Sequence, residues 1–401
     1  MSSLLQTAQF MAETLRLDAA APPPPPSGLD WPLLAHHADG HSLTPLLFDT
    51  WQPNGRLDAV PPEVRARLAR AHADNTRRNQ NIRAELLDIH RILSAAGVPH
   101  LVLKGWPLAE QLYASPAQRV LYDHDFLVPP QQAEVGHRAL LAAGFVPLPA
   151  KDEWVTKHLP PLWRNNGYQW DGYLFDPDYP RPVELHVELW ETGWRGLDVR
   201  PLVRPWANAR AALVAGAPMQ LLSRENTLVH LAMHFAGHLI ERDARLNQLL
   251  DLARFVWREW AALDWAQVLA QAGEAGVTRF VFASLALAHR IFAAPQPPPR
   301  IWQQLAAQTP AAFKEWLARQ GPADVLTGDY RRGGPGQDYR LTFLAANSLR
   351  ERAGIARFAL LPPRTQLAQM YGLRRPALAP LYYPRFVLNR LNRYRRGFRR
   401  G

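Results

Sequence analysis

The sequence predicts an α/β (α+β) protein, a small mixed sheet with helical regions before and after it. Three observations carry that prediction. Between about 86 and 200, short apolar runs of strand length alternate with stretches of helical period. From about 222 to 318 the helical period runs almost unbroken. The chain has 401 residues and 47% hydrophobic content, which suits packed interiors and is too long for one ordinary core.

Residues 1–28 read as a short amphipathic helix and a stiff spacer, because Pro22 to Pro26 are consecutive. Residues 29–85 read as helical. Trp31, Leu33 and Leu34 open one helix, Pro61-Pro62 begins another, and Val64, Leu68, Ile82, Leu86, Ile89 and Ile92 keep helical spacing until Gly97. Residues 86–210 form the expected α/β unit. Its elements are strands near 99–103, 120–128 and 145–148, helices near 107–114 and 131–143, and an alternating strand over Pro182–Leu189. Residues 211–318 read as a helical domain, with helices opening near 224, 246, 265, 278 and 301. Residues 319–401 read as a loop, an amphipathic segment over 341–360 and an arginine-rich tail.

The formal net charge is +11, and nine arginines without an acid follow from Arg374. Subtracting nine leaves about +2 for the rest, so the chain has a basic tail and not a basic domain. Within 385–400, Val387, Leu391, Tyr394 and Phe398 fall on one helical stripe among arginines. Such a helix docks on the body, or lies on an anionic membrane or polyanion. The absence of cysteine excludes disulfides and thiolate metal sites. With no basic leader and no apolar run of about 20 residues, a cytoplasmic protein is expected, with peripheral membrane contact open through the tail.

The chemistry concentrates in Leu101–Val128. Asp123 and Asp125 alternate on a strand, so their carboxylates project to one side and repel unless a cation joins them. Hard divalent ions such as Mg²⁺ are held by a few carboxylates plus substrate phosphates. Gly105, between an apolar run and a helix, lets backbone approach a phosphate. Lys104 offers a point charge to a phosphate, and Arg119 precedes the acid pair. Glu184 is the candidate third carboxylate, with Glu188 its competitor by parity. His186 reads as a partner of the acids more than as a ligand. His230, His234 and His238 share a helix face, where packing near the pocket is favoured over zinc binding. Asp251 reads as a helix-pairing acid.

Lys104-Gly105, Arg119, Asp123-His124-Asp125 and Glu184-Leu185-His186 together resemble the uncharacterised nucleotidyltransferase family of bacteria, within the DNA polymerase β type superfamily. The His230-x3-His234-x3-His238 helix, Leu250-Asp251-Leu252 and Asp264-Trp265 add to the resemblance, which spans roughly 30–300. It implies transfer of a nucleoside monophosphate from an NTP to an acceptor with Mg²⁺ or Mn²⁺. Asp123, Asp125 and Glu184 would be the catalytic metal ligands, and Lys104, Gly105 and Arg119 the nucleotide contacts. The acceptor stays open among glycan precursor, small molecule, protein and RNA. Trp106 stands where most superfamily members carry serine. That motivates an alternative, a non-catalytic nucleotide- or metal-binding protein that retains the fold. A membrane- or nucleic-acid-associating protein acting through the tail is the other.

Overall fold

A computed structural model describes residues 3–148, 155–327, 339–373 and 375–389. Four helices come first: α1 (Ser3–Thr14), α2 (Trp31–Gly40), α3 (Thr44–Trp51) and α4 (Pro62–Ala95). α4 begins with proline in its first turn, where no N–H bond is lost, and stops before Gly97 at φ 68°. The sheet follows, in chain order β1 (Leu101–Val102), β2 (His124–Leu127), β3 (Val146–Pro147), β4 (Leu162–Trp163), β5 (Val183–His186), β6 (Arg210–Val214) and β7 (Ala217–Leu221). Helix α5 (Trp106–Leu112) joins β1 to β2, and α6 (Ala133–Ala142) follows β2.

The strands lie in the order β3-β4-β5-β2-β1-β7-β6. At the centre, β2 runs antiparallel to β1 and parallel to β5, with Asp125 opposite Glu184 and Leu127 opposite His186. β7 adds parallel to β1 on the other side. The β6–β7 hairpin was not expected. Its two-residue turn is Ala215-Gly216, both at positive φ (54° and 86°), which suits the right-handed twist of a hairpin. The sheet therefore continues to Leu221, past the boundary expected at 210.

Alternation divides the sheet into two faces. Val102, Phe126, Val183 and Leu185 pack with Ile82, Leu86, Ile89 and Leu93 of α4 and Leu140 of α6. Leu101, Leu103 and Leu127 point the other way, into a larger core. That core is built by α7 (Arg224–Glu241), α8 (Leu246–Glu259), α9 (Trp265–Glu274) and α10 (Thr278–Phe292). Phe10 and Met11 of α1, Leu34 of α2 and Leu46 and Leu47 of α3 belong to the same core. The N-terminal helices are thus joined to the later helical region, and Leu17 N–H, ahead of the proline spacer, donates to the Phe292 carbonyl.

Six further α-helices follow, α11 (Pro299–Ala307), α12 (Ala311–Ala318), α13 (Pro322–Leu326), α14 (Tyr339–Leu344), α15 (Leu349–Leu360) and α16 (Arg364–Met370), and residues 376–389 end the described chain in helical turns. A separate small cluster of Leu367, Ala379 and Phe386 holds the C-terminal segment, and Val387 packs against it. Most of the expected tail stripe, Leu391, Tyr394 and Phe398, lies outside the described residues. Among the described residues, no helix is long and apolar enough to cross a membrane.

Candidate active site

The face of the sheet toward α7 and α8 carries Asp123, Asp125 and Glu184. Asp123 precedes β2, Asp125 lies within it, and Glu184 is Asp125's register partner on β5. Lys104, just after β1, joins the pair: its Nζ lies 3.0 Å from Asp123 Oδ2 and 2.7 Å from Asp125 Oδ2. On the other side of Asp125, His186 Nε2 lies 2.9 Å from Oδ1 and 3.2 Å from Glu184 Oε2. Asp125 is thus a hub, with an ammonium on one oxygen and an imidazole on the other. Glu188 lies beyond β5 and accepts from Thr192 Oγ1 at 2.7 Å.

The electrostatics follow from burial and spacing. Burial, then repulsion from Asp125, raises the Asp123 carboxyl above its ordinary range. Burial also pushes Asp125 up, but the Lys104 charge and the His186 hydrogen bond outweigh it and hold Asp125 well below the ordinary range. Burial works against the Lys104 ammonium, yet Asp123, Asp125 and Glu184 raise its pKa overall. His186 is likewise disfavoured as a cation by burial and raised overall by its bonds to Asp125 and Glu184. Among the described residues, Lys104 is the lysine or arginine in ion-pair contact with any of these carboxylates, which leaves formal negative charge at a site where Asp125 is buried and Asp123 and Glu184 are partly exposed. Asp125, Glu184 and His186 bring ligand atoms within 4.8 Å of one another. The excess charge and the converging donors both suit a divalent cation.

The Gly105 turn is braced from a distance. Gly105 adopts φ 77°, ψ −117°, a left-handed region open to glycine and strained for a side chain. Arg119 Nη1 donates to its carbonyl at 3.3 Å. The rest of that guanidinium forks onto Asp251 of α8, with Nε 3.0 Å from Oδ1 and Nη2 2.7 Å from Oδ2. Tyr113 O–H adds a bond to Asp251 Oδ1 at 2.7 Å. Arg119, expected as a nucleotide contact, is therefore turned to Asp251 and the glycine turn. Asp251 is the pairing acid expected, although its partner is an arginine ahead of β2. Trp106 is buried among Val102, Ala109 and Phe126 as part of the core.

Several positioning residues were not singled out by the sequence. Asn75 and Asn79 of α4 donate to the carbonyls of Ala117 and Pro116, both at 2.6 Å. Arg78 donates twice to the Leu121 carbonyl, at 2.8 and 3.1 Å. These bonds fix the irregular stretch that delivers Asp123. Burial pushes the Arg78 guanidinium down to about 10. The signal was available: polar residues sit at the buried phase of an otherwise apolar helical stripe.

His158 was also missed. It pairs with His186 through an isolated bridge, and its Nε2 lies 3.5 Å from Glu184 Oε2. The α7 histidines diverge: His234 approaches Gln248 at 3.4 Å and His238 meets Asp243 at 2.8 Å. His230 is 3% exposed with neither ring nitrogen bonded, and burial pushes it down to about 3, helped by His186 and Lys104. Among the described residues, the group able to hold a metal is Asp125, Glu184 and His186, not the α7 stripe.

A family model described as an uncharacterised nucleotidyltransferase matches residues 27–293. No curated protein and no solved structure matches the chain.

Proposed function

The chain belongs to the uncharacterised nucleotidyltransferase family, and on that premise we propose that it transfers a nucleoside monophosphate from an NTP to an acceptor at the Asp123–Asp125–Glu184 cluster. Family membership supports the nucleotidyl-transfer role. The observation that carries the location is the convergence of three carboxylates on one sheet face, with Lys104 in ion-pair contact with two of them. Asp125 and Glu184, with Asp123 beside them across Lys104, are the proposed carboxylates of a divalent-cation site for Mg²⁺ or Mn²⁺. When bound, such an ion polarises the α-phosphate and lowers the pKa of an acceptor hydroxyl.

The protein's own groups do the rest. Lys104, already bridging the two aspartates, is placed to transfer its charge to incoming phosphate oxygens. Gly105 keeps a side chain out of the turn beside Lys104, and Arg119 holds that turn through its carbonyl. The Trp106 indole fills the core beside the turn, so in this reading the phosphate contact that a serine would make falls to Lys104 and the Gly105 backbone.

The test is incubation with each NTP labelled at the α-phosphate, with Mg²⁺ or Mn²⁺, reading pyrophosphate release and label transfer. Nucleotide-dependent pyrophosphate release that Asp125→Asn removes supports the proposal. No binding of any NTP, with either metal, would overturn it. Lys104→Ala is expected to weaken NTP binding more than NMP binding; equal weakening would make Lys104 a structural counter-ion only.

A second reading concerns the C-terminal segment. Leu378, Leu381 and Leu388 are exposed and outside the Leu367–Phe386 cluster, with exposed Arg375 and Arg385 nearby in sequence. That pattern favours contact with an anionic membrane surface. Salt-sensitive co-sedimentation with anionic vesicles, lost on truncation after Arg375, would support it.

A further inference from the structure

The donor set at the acid cluster is not all oxygen. Two imidazoles reach the same Glu184 oxygen: His186 Nε2 at 3.2 Å and His158 Nε2 at 3.5 Å, with ring centroids 5.2 Å apart. Both side chains are buried, His186 at 2% exposure and His158 at 8%.

The tautomer of His158 is fixed by its other nitrogen. Nδ1 lies 2.7 Å from the Leu159 carbonyl, which can only accept, so Nδ1 carries the proton. His158 Nε2 is the nitrogen left to face the Glu184 carboxylate, at 3.5 Å, a separation too long for a hydrogen bond. An imidazole whose Nδ1–H is anchored on a backbone carbonyl while Nε2 faces a carboxylate is the arrangement of a metal-ligating histidine.

Asp125 divides the cluster further. Its Oδ2 is taken by Lys104, while Oδ1 faces His186 and the Glu184 side. The space for a metal is therefore on the imidazole side. Mg²⁺ takes oxygen ligands, whereas imidazole nitrogen selects first-row transition ions.

We propose that this site binds a first-row transition ion in preference to Mg²⁺, through His186 nitrogen with Asp125 and Glu184 oxygen, with His158 Nε2 beside Glu184 as a further nitrogen donor and Asp123 left on the Lys104 side. The proposal rests on the nucleotidyl-transfer reading for the site's purpose, but its test does not depend on turnover. The full chain is loaded with Mn²⁺ and examined by pulsed electron paramagnetic resonance. Nitrogen modulation of the bound Mn²⁺ is expected, and it should change when the protein is labelled with ¹⁵N-histidine. That isotope exchange needs no variant, so misfolding cannot imitate the result. In competition, Mg²⁺ should displace Mn²⁺ only in large excess. His158→Gln should lower Mn²⁺ affinity by at least the roughly 10–100-fold that loss of even an outer partner costs. Mn²⁺ that binds in an Asp125-dependent way without nitrogen modulation would overturn the imidazole ligation and leave nucleotidyl transfer standing. Failure to bind either metal, with or without NTP, would overturn both.

Discussion

The two faces of strand β2 carry similar side chains to opposite ends. On one face, Asp123 and Asp125 join Glu184, and among the described residues Lys104 is the lysine or arginine in ion-pair contact with any of the three carboxylates. On the other, His124 turns to α4 and meets Glu85 at 3.1 Å. There Arg181 forks onto Glu85, and its remaining N–H groups reach the carbonyls of Pro177 and Tyr179 at 3.2 and 2.7 Å. The Glu85 group is closed: one carboxylate, one guanidinium, and donors matched to acceptors. The acid cluster is open, because its charge is not balanced by the chain. A buried network that balances itself stabilises a fold, whereas one that does not must meet something from outside. The difference separates structure from function within a few residues of sequence.

The largest expected effect tests the open face. Asp125→Asn keeps the shape of the hub and removes its charge. Lewis-acid stabilisation of several kcal/mol corresponds to a loss of about a thousandfold or more in transfer. Label transfer from an α-labelled NTP measures it. Transfer within tenfold of the parent would remove the catalytic distinction between the faces.

The closed face should fail in the other direction. Glu85→Gln leaves Arg181 buried without its carboxylate, at a cost of about 3 kcal/mol or more. Any activity should persist wherever the variant is folded. The sign of the pH dependence is fixed. Burial alone would raise Glu85, but the bonds from His124 and Arg181 win and lower it from 4.5 to about 2. Its contribution is therefore present above pH 4.5 and lost as pH falls toward 2. Denaturant midpoints of parent and variant should converge across that window. A constant gap would mean that Glu85 acts through packing and not charge.

How much of this was legible follows the same division. Whereas the register of β5 against β2 is what sets Glu184 beside Asp123 and Asp125, alternation with period two placed those two on one face, because that rule needs no distant information. The α4 stripe was legible for the same reason. The β6–β7 hairpin was not, since Ala215-Gly216 is a weak turn signal and its residues are mostly small. His158 lies in an irregular segment, and only the bridge to His186 brings it to the acids. Arg119 was visible as a candidate, yet its partner is 132 residues away, and no local pattern says where a guanidinium will turn.

That partner gives an intermediate effect. Arg119→Lys keeps the charge but loses the fork onto Asp251 and the bond to Gly105. A loss of about 1–3 kcal/mol in stability is expected, with NTP affinity weakened because the Gly105 turn is released. Thermal denaturation and equilibrium nucleotide binding read the two separately. If stability falls while nucleotide affinity does not, the brace serves the fold alone, and the open face is smaller than drawn.

The smallest expected effect discriminates most sharply, because it is a near-absence on the face where activity is most sensitive. The Asp123 carboxyl is raised above 3.8, by burial first and by Asp125 second. A raised carboxyl contributes stability below its unfolded pKa and loses it as pH rises through the folded value. At neutral pH its charge therefore weighs against the fold. Asp123→Asn removes that burden, and Lys104 keeps Asp125 at 2.7 Å as a partner. Stability at pH 7 should stay within about 1 kcal/mol of the parent or rise, while transfer is lost. Such exchange of stability against activity is expected where a site holds like charges together for a ligand. Denaturant unfolding at pH 7 decides it. A destabilisation like that of Glu85→Gln would show that Asp123 belongs to the supporting framework, and the contrast between the two faces of β2 would shrink to Asp125 and Glu184.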